Sequence, residues 1–233
     1  MMESMKKALI VEDDADIRRL LELHLRDLYF EVTSASDGMQ GLALALSSSF
    51  DFIILDIMLP RMDGIDLCKE LRNRKLTVPI MMLTSRSEEI DKVVALETGA
   101  DDYMTKPFGT RELQARIKAI MRRMPESTPT ESKLLQIDEL TIDLAKRLVK
   151  KNATTLQLTP KEFELLALLV QNPGKTYSRL DLLELIWNYN YEGYEHTVNS
   201  HINRLRRKIE ADIHNPQYIL TSWGIGYRFK EIS

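Results

Sequence analysis

Reactive polar side chains directly follow four short apolar runs of this sequence. Glu12 and Asp13 follow Val11, Asp56 follows Leu55, Thr84 follows Leu83, and Lys106 follows Thr105. Short apolar runs between amphipathic stretches are typical of parallel strands that are buried on both faces. Ligands of such sheets bind beyond the carboxyl ends of the strands. We therefore expect three carboxylates, a hydroxyl and an ammonium group to meet at one edge of a sheet.

The predicted cluster has the composition of a magnesium-dependent phosphoryl-transfer site. Glu12, Asp13 and Asp56 supply carboxylate oxygens, and Mg²⁺ usually takes few of these, keeps some waters and binds the phosphate itself. Asp56 is the candidate nucleophile, which would form an acyl phosphate. Lys106 would neutralise the phosphoryl oxygens, and the Thr84 hydroxyl would donate a hydrogen bond to one of them. This chemistry requires that the Asp56 carboxylate be open to a phosphodonor.

Length and composition favour a two-domain protein of the cytoplasm. The chain has 233 residues, of which 44% are hydrophobic and 29% are charged, and this length suits two modest domains. A single cysteine, Cys68, excludes an internal disulfide, as expected in a reducing compartment. No apolar run approaches the roughly 20 residues of a membrane span, and the run after Lys7 is too short for a signal peptide.

A polar stretch with two prolines separates two segments of different pattern. We predict a first domain at 1–124, a linker at 125–133 and a second domain at 134–233. Strands are expected near 7–11, 29–34, 52–55, 80–84 and 102–105, and helices near 15–27, 37–46, 63–73, 88–98 and 111–123. This alternation predicts an α/β fold, an open, doubly wound sheet of five parallel strands with right-handed crossovers.

After the linker, the pattern predicts an α+β winged helix-turn-helix domain. Apolar and polar residues alternate weakly over 134–158, which indicates short antiparallel strands. Thr159, Pro160 and Glu162 have the spacing of a helix N-terminus with a capping box. Two further helices are expected near 178–186 and 195–211, and two short strands within 217–229.

The last predicted helix has one apolar stripe and one polar face. Val198, Ile202, Leu205 and Ile209 lie three or four residues apart and should face the core. Hydroxyl, amide, imidazole and guanidinium groups of the remaining residues suit base edges and phosphates. The candidate DNA contacts of this helix and of the following hairpin are His196, Ser200, His201, Asn203, Arg204, Arg206, Arg207, Trp223, Tyr227 and Arg228. Residues 134–233 carry 13 Lys and Arg against 12 Asp and Glu, so binding must come from this local cluster rather than from net charge.

Residues 6–123 resemble the receiver domain of response regulators, which has a flavodoxin-like fold. The resemblance rests on the motifs Val11-Glu12-Asp13-Asp14, Leu55-Asp56-Ile57-Met58-Leu59-Pro60, Asp63-Gly64, Met82-Leu83-Thr84-Ser85-Arg86 and Gly99-Ala100-Asp101-Asp102-Tyr103-Met104-Thr105-Lys106-Pro107-Phe108. It implies that a cognate sensor histidine kinase phosphorylates Asp56. Mg²⁺ would be held by Asp13, Asp56 and the backbone carbonyl of Met58, with Glu12 acting through water.

The same resemblance implies a conformational switch and a dimer. The Lys106-Pro107 bond should be cis, and phosphorylation should draw Thr84 inward while Tyr103 swings into the vacated space. Such receivers dimerise through their fourth helix, fifth strand and fifth helix. The matching intersubunit charge pairs are Lys92 with Glu112, Asp102 with Arg116, and Asp101 with Arg123.

Residues 134–231 resemble the winged-helix domain of OmpR/PhoB-type regulators. The motifs are Leu158-Thr159-Pro160-Lys161-Glu162-Phe163, the run from His196 to Ile209, and Gly224-Ile225-Gly226-Tyr227-Arg228-Phe229. The resemblance implies a recognition helix at 195–210, a wing at 217–229 and contact with RNA polymerase at 187–194. The implied partner is double-stranded DNA with promoter repeats. Some relatives have a wing arginine where this chain has Trp223, so a minor-groove arginine contact is not expected there.

Two other functions remain open from the residues alone. A phosphatase that uses an aspartate nucleophile in the style of haloacid dehalogenases would need a second acid two residues after Asp56, but Met58 occupies that position. Alternatively, the second half is a protein-docking module that binds no DNA.

Overall fold

The computed structural model describes residues 5–85, 98–122, 134–187 and 195–232. The chain divides into two compact units, Met1–Ile120 and Met121–Ser233. The predicted linker and nearly all of the predicted helix at 88–98 lie outside the described residues. Within the described ranges, none of the helices combines the length and the apolar character that crossing a membrane requires.

The first unit contains a five-stranded parallel sheet with the strand order β2-β1-β3-β4-β5, as the sequence predicts. The strands are β1 (Lys6–Val11), β2 (Phe30–Ala35), β3 (Phe52–Asp56), β4 (Ile80–Thr84) and β5 (Asp102–Thr105). The described helices are α1 (Ala15–Asp27), α2 (Gly38–Ser47), α3 (Gly64–Asn73) and α4 (Thr110–Arg122). Every residue of β3 and β4 is buried, which is why these strands appear as uninterrupted apolar runs.

Strand register brings the predicted polar residues to the same edge of the sheet. Val11 pairs with Leu55, Asp56 with Leu83, and Thr84 with Thr105. Each polar residue therefore emerges where its strand ends. Asp14 then starts α1 at this edge by accepting hydrogen bonds from the backbone N–H groups of Asp16 and Ile17, as an N-cap residue does.

The second unit is α+β and contains two antiparallel sheets. The first has the order β6-β7-β8-β9 and consists of β6 (Leu134–Ile137), β7 (Leu140–Asp143), β8 (Leu148–Lys151) and β9 (Thr154–Leu156). The helices are α5 (Pro160–Val170), α6 (Arg179–Trp187) and α7 (Glu195–Ile209). The second sheet has the order β10-β12-β11 and consists of β10 (Tyr177–Ser178), β11 (Ile219–Ser222) and β12 (Gly226–Phe229).

Two features of this unit were predicted and one was missed. The capping box of Thr159 and Glu162 is present at the start of α5. All four residues of the apolar stripe of α7, from Val198 to Ile209, are fully buried. Strand β10 was not predicted, because a strand of two residues is too short to show alternation.

Candidate functional site

The three predicted carboxylates meet at the carboxyl edge of the parallel sheet. Glu12 and Asp13 follow β1, Asp56 ends β3, and one oxygen from each lies within 4.8 Å of the others. Glu12 is fully buried and Asp56 is 3% exposed, whereas Asp13 is exposed. This set of hard oxygen ligands has the composition that Mg²⁺ requires.

Lys106 supplies the cation of the cluster. Its ammonium nitrogen lies 2.7 Å from Glu12 Oε2 and 3.1 Å from Asp56 Oδ2. The backbone N–H of Lys106 donates a 2.7 Å hydrogen bond to the carbonyl oxygen of Thr84, so the loop after β5 is fastened to the end of β4. The Lys106-Pro107 bond is cis, as predicted.

Burial makes the negative charges of this cluster unfavourable. Burial raises the pKa of Asp56 above its usual range, and the Lys106 charge opposes that rise. Burial also raises the pKa of Glu12, although a hydrogen bond from Lys106 opposes that rise. Three carboxylates face one ammonium group, and Asp56 Oδ1 is buried without a hydrogen-bond partner among the described residues. A divalent cation fits this site because it balances the excess charge and gives that oxygen a partner.

The expectation of an open Asp56 is wrong for this conformation. The residue is 3% exposed, one carboxylate oxygen is buried, and the other contacts Lys106. The turn after β3 also packs tightly, since a Cβ atom on Gly64 would lie 2.0 Å from the backbone oxygen of Asp56. Met58, the predicted carbonyl ligand, lies in this turn with a side chain that is half exposed. Neighbouring groups must therefore move outward before a phosphodonor reaches Asp56.

The predicted switch residues lie on adjacent strands. Thr84 is fully buried at the end of β4, and Tyr103 of β5 is 8% exposed and pairs with Met82. Tyr103 is thus already buried in this conformation. The exchange of Thr84 and Tyr103 between two states stays a prediction.

The predicted DNA-binding face of α7 is exposed in part. His196, Asn203 and Arg207 are exposed, and Ser200 and Arg204 are partly exposed. In the wing, Trp223 is 90% exposed, and Arg228 lies 3.9 Å from Glu231 in an ion pair. Contacts of these residues with DNA stay predictions.

Three predicted DNA contacts point into the domain instead. His201 is 1% exposed, and its ring packs against the ring of Trp187 with 4.8 Å between centroids. Arg206 is 7% exposed and donates to the carbonyl of Ile219. Tyr227 is 6% exposed.

Helical spacing explains two of these corrections. His201 lies three residues after Val198, and Arg206 lies four residues after Ile202, so both border the buried stripe. Burial lowers the pKa of Arg206, which fits a guanidinium group that ties α7 to β11 rather than one that faces phosphate.

The predicted dimer contacts are largely satisfied within one chain. Asp101 is 1% exposed and accepts hydrogen bonds from the Arg72 guanidinium group at 3.0 Å and the Ile80 N–H at 2.9 Å. An intersubunit pair between Asp101 and Arg123 is therefore not supported. Arg116 contacts Asp102 at 3.1 Å and Glu112 at 2.9 Å in the same chain. Lys92 and Arg123 lie outside the described residues.

Three residues that organise these sites were not among the predicted ones. Arg72 binds the Asp101 carboxylate, while Arg179 and Asn199 contact each other beside the wing. An arginine on an amphipathic helix gives no sequence signal for a buried partner 29 residues away. Asn199 is three residues before the buried Ile202 and four before the exposed Asn203. Helical spacing therefore places it between the buried stripe and the exposed face of α7.

Comparisons with known proteins cover both units. Residues 8–118 match the family model described as the response regulator receiver domain, and residues 153–229 match that of the transcriptional regulatory protein, C terminal. The chain is 44% identical to the alkaline phosphatase synthesis transcriptional regulatory protein PhoP of Bacillus subtilis (strain 168), with 97% of each chain covered. It is 40% identical to the transcriptional regulatory protein ResD of the same organism, with 96% of this chain and 95% of ResD covered.

A solved structure agrees with this organisation. The response regulator DrrB of Thermotoga maritima, described as an OmpR/PhoB homologue, is 32% identical to this chain. The comparison has a TM-score of 0.51 and covers 98% of this chain and 100% of DrrB.

Proposed function

We propose a phosphorylation-controlled mechanism for this chain, which belongs to the OmpR/PhoB-type family of two-component response regulators. Its receiver and DNA-binding domains make it a regulator of transcription rather than a turnover enzyme. Family membership thus favours DNA binding over a protein-docking output and over an external phosphatase activity. Our proposal is that a cognate sensor histidine kinase transfers its phosphoryl group to Asp56.

The meeting of Asp56, Glu12, Asp13 and Lys106 at one sheet edge carries the proposal. An Asp56 carboxylate oxygen forms a bond to phosphorus while the bond from phosphorus to the kinase histidine nitrogen breaks, and that nitrogen keeps the electron pair. Lys106 neutralises the phosphoryl oxygens, and the Thr84 hydroxyl donates a hydrogen bond to one of them. Glu12, Asp13, Asp56 and the backbone carbonyl of Met58 would hold Mg²⁺, which neutralises charge on the carboxylates and the phosphoryl group when bound.

Phosphorylation would act on DNA binding through dimerisation. A phosphoryl group adds about −1.5 to −2 charges at neutral pH, and it shifts the conformational equilibrium only by as much as it favours one state. We propose that movements of Thr84 and Tyr103 couple phosphorylation to a change of the receiver surface through which two chains associate. Two winged-helix domains would then occupy promoter half-sites about one DNA turn, or roughly 34–36 Å, apart, which raises avidity without new base contacts. Residues 187–194, of which 188–194 lie outside the described residues, are a proposed contact with RNA polymerase.

The decisive experiment compares Asp56→Ala with Asp66→Ala, which alters an exposed aspartate of α3. Both full-length variants are incubated with Mg²⁺ and acetyl phosphate, and phosphoryl incorporation is measured by intact mass. DNA affinity is measured before and after incubation. We expect Asp66→Ala to gain one phosphoryl group and to bind DNA more tightly, whereas Asp56→Ala does neither. A gain of DNA affinity by Asp56→Ala would contradict the proposed mechanism.

A further inference from the structure

A hydrogen-bond cluster joins the recognition helix to the wing. Arg179, the first residue of α6, donates from Nε to Asn199 Oδ1 at 3.0 Å. The Tyr227 hydroxyl of β12 donates to the same oxygen at 2.9 Å. Arg179 also donates from Nη1 to the carbonyl of Ile225, near the tip of the wing, at 3.2 Å. Asn199 is therefore where α6, α7 and the wing meet.

These contacts fix the orientation of the Asn199 amide group. The Nε atom of arginine is only ever a donor, so the asparagine atom that faces it must be the carbonyl oxygen. That oxygen accepts from both Arg179 and Tyr227, which directs the amide nitrogen to the opposite side. Within the part of the chain that the structure describes, the two N–H donors of this nitrogen have no partner. The residue is half-buried. Its amide nitrogen is not one of the fully buried atoms that lack a partner among the described residues, so this nitrogen is accessible to solvent.

The position of Asn199 on α7 places these donors beside the predicted DNA-binding face. Successive residues of an α-helix are rotated by about 100°. Asn199 is thus about 40° from Asn203 and about 60° from His196 around the helix, and both of these residues are exposed. Asn199 also lies in the N-terminal half of α7 (Glu195–Ile209), the part of a recognition helix that contacts base edges in helix-turn-helix proteins.

We propose that Asn199 binds DNA directly, through amide donors that Arg179 and Tyr227 hold in place. This inference rests on the DNA-binding function of the second domain. The acceptor is an oxygen or nitrogen of the duplex between the recognition helix and the wing, either on a phosphate or on a base edge such as that of adenine. The alternative role of Asn199 is that of a strut, which links Arg179 to Tyr227 and never touches DNA.

Two substitutions separate these roles. Asn199→Asp keeps the acceptor oxygen for Arg179 and Tyr227 but removes both amide donors, whereas Asn199→Ala removes all of these groups. Asn215→Asp, at an exposed asparagine in the loop after α7, is the control for one added negative charge. Binding of each full-length variant is measured on a duplex that the wild-type protein selects from a randomised pool, and on a scrambled duplex of the same length. Thermal unfolding shows whether each variant is folded.

A DNA contact predicts that Asn199→Asp and Asn199→Ala both bind the selected duplex about tenfold or more weakly, while Asn215→Asp binds as the wild type does. The side-chain amide signals of Asn199 in ¹⁵N–¹H spectra should also shift when the duplex is added to the wild-type protein. A base contact predicts a greater loss on the selected duplex, whereas a phosphate contact predicts equal losses on both.

Two results would overturn the inference. The first is wild-type affinity for Asn199→Asp with a loss for Asn199→Ala alone, which is the result for a strut. The second is a loss for Asn199→Asp without any shift of the wild-type amide signals, because charge repulsion alone then explains the loss. Failure of the wild-type protein to select any duplex would refute DNA binding by this domain, which is a separate outcome.

Discussion

Replacing Asp101 with alanine should destabilise the receiver far more than replacing its neighbour Asp102. Asp101 is 1% exposed and binds both the Arg72 guanidinium group and the Ile80 N–H. Removing one partner of a buried ion pair costs about 3–5 kcal/mol. Arg72 keeps three backbone carbonyl acceptors, those of Leu76, Val78 and Gly99, which reduces the cost. We expect a loss of about 3 kcal/mol for Asp101→Ala, at the lower end of that range.

Asp102→Ala is the matched control. The Asp102 side chain is 15% exposed and that of its partner Arg116 is 29% exposed, so water screens this pair in part and its loss should cost less than the loss of the buried Asp101 pair. Hydrogen exchange of the β4 amides in the full-length protein measures the difference, because exchange of buried amides reports the stability of the surrounding unit. Tryptophan fluorescence is unsuitable, since Trp187 and Trp223 both belong to the second unit.

The refuting result is equally specific. If both variants lost less than about 1 kcal/mol, the expected magnitude for an exposed pair, the structural role of Asp101 would be wrong. If Asp101→Ala instead kept its stability but failed to dimerise after phosphorylation, the intersubunit pair with Arg123 would be favoured again.

Three further predictions concern the phosphoryl site and the second unit. Burial raises the pKa of Asp56 in the folded protein, so stability from its protonated form is present at low pH and lost as pH rises through that pKa. Asp56→Asn should therefore stabilise the metal-free protein at neutral pH by about 0.5–2 kcal/mol, with a smaller gain in acid, as denaturation at several pH values will show. Mg²⁺ should raise the Tm of the wild-type protein but not that of Glu12→Gln/Asp56→Asn, since only the wild type keeps the full set of carboxylates; equal shifts in calorimetry would place the ion elsewhere. Thr159→Ala, which removes the capping box of α5, should destabilise the second unit by about 1 kcal/mol. An unchanged urea midpoint, followed by tryptophan fluorescence, would count against this prediction.

The architecture was predictable from the sequence wherever one-dimensional periodicity determines packing. Buried parallel strands must be apolar throughout, so the polar residue after Leu55 and the one after Leu83 mark the sheet edge. The same logic identifies the buried stripe of α7 from Val198 to Ile209. Convergence of Glu12, Asp13 and Asp56 follows because the runs that end at Val11 and Leu55 are buried strands of one parallel sheet, whose carboxyl ends lie at the same edge.

The predicted DNA contacts are wrong where the chemical type of a side chain was weighed above its helical spacing from the buried stripe. The guanidinium group of Arg206 and the imidazole group of His201 suit nucleic acid, but their spacing from Ile202 and Val198 places both residues beside the core. Asp101 differs from these two, since its burial depends on Arg72, a partner that no local pattern identifies. The low exposure of Asp56 likewise depends on contacts across the sheet edge, such as the one between its carboxylate and Lys106, which the local sequence does not specify.

Lys106 connects the charge of the phosphoryl site to the neighbouring strand. Its ammonium group is already shared between Glu12 and Asp56, so a phosphoryl group on Asp56 must draw it away from at least one of these carboxylates. The backbone of the same residue is hydrogen-bonded to the carbonyl of Thr84 at the end of β4. A shift of Lys106 therefore acts on Thr84 through the main chain, in addition to any hydrogen bond that the Thr84 hydroxyl makes with the phosphoryl group. We expect two couplings to Thr84 for this reason. A Thr84→Val variant, which replaces the hydroxyl with a methyl group of similar size, should therefore retain part of the phosphorylation-dependent gain in DNA affinity.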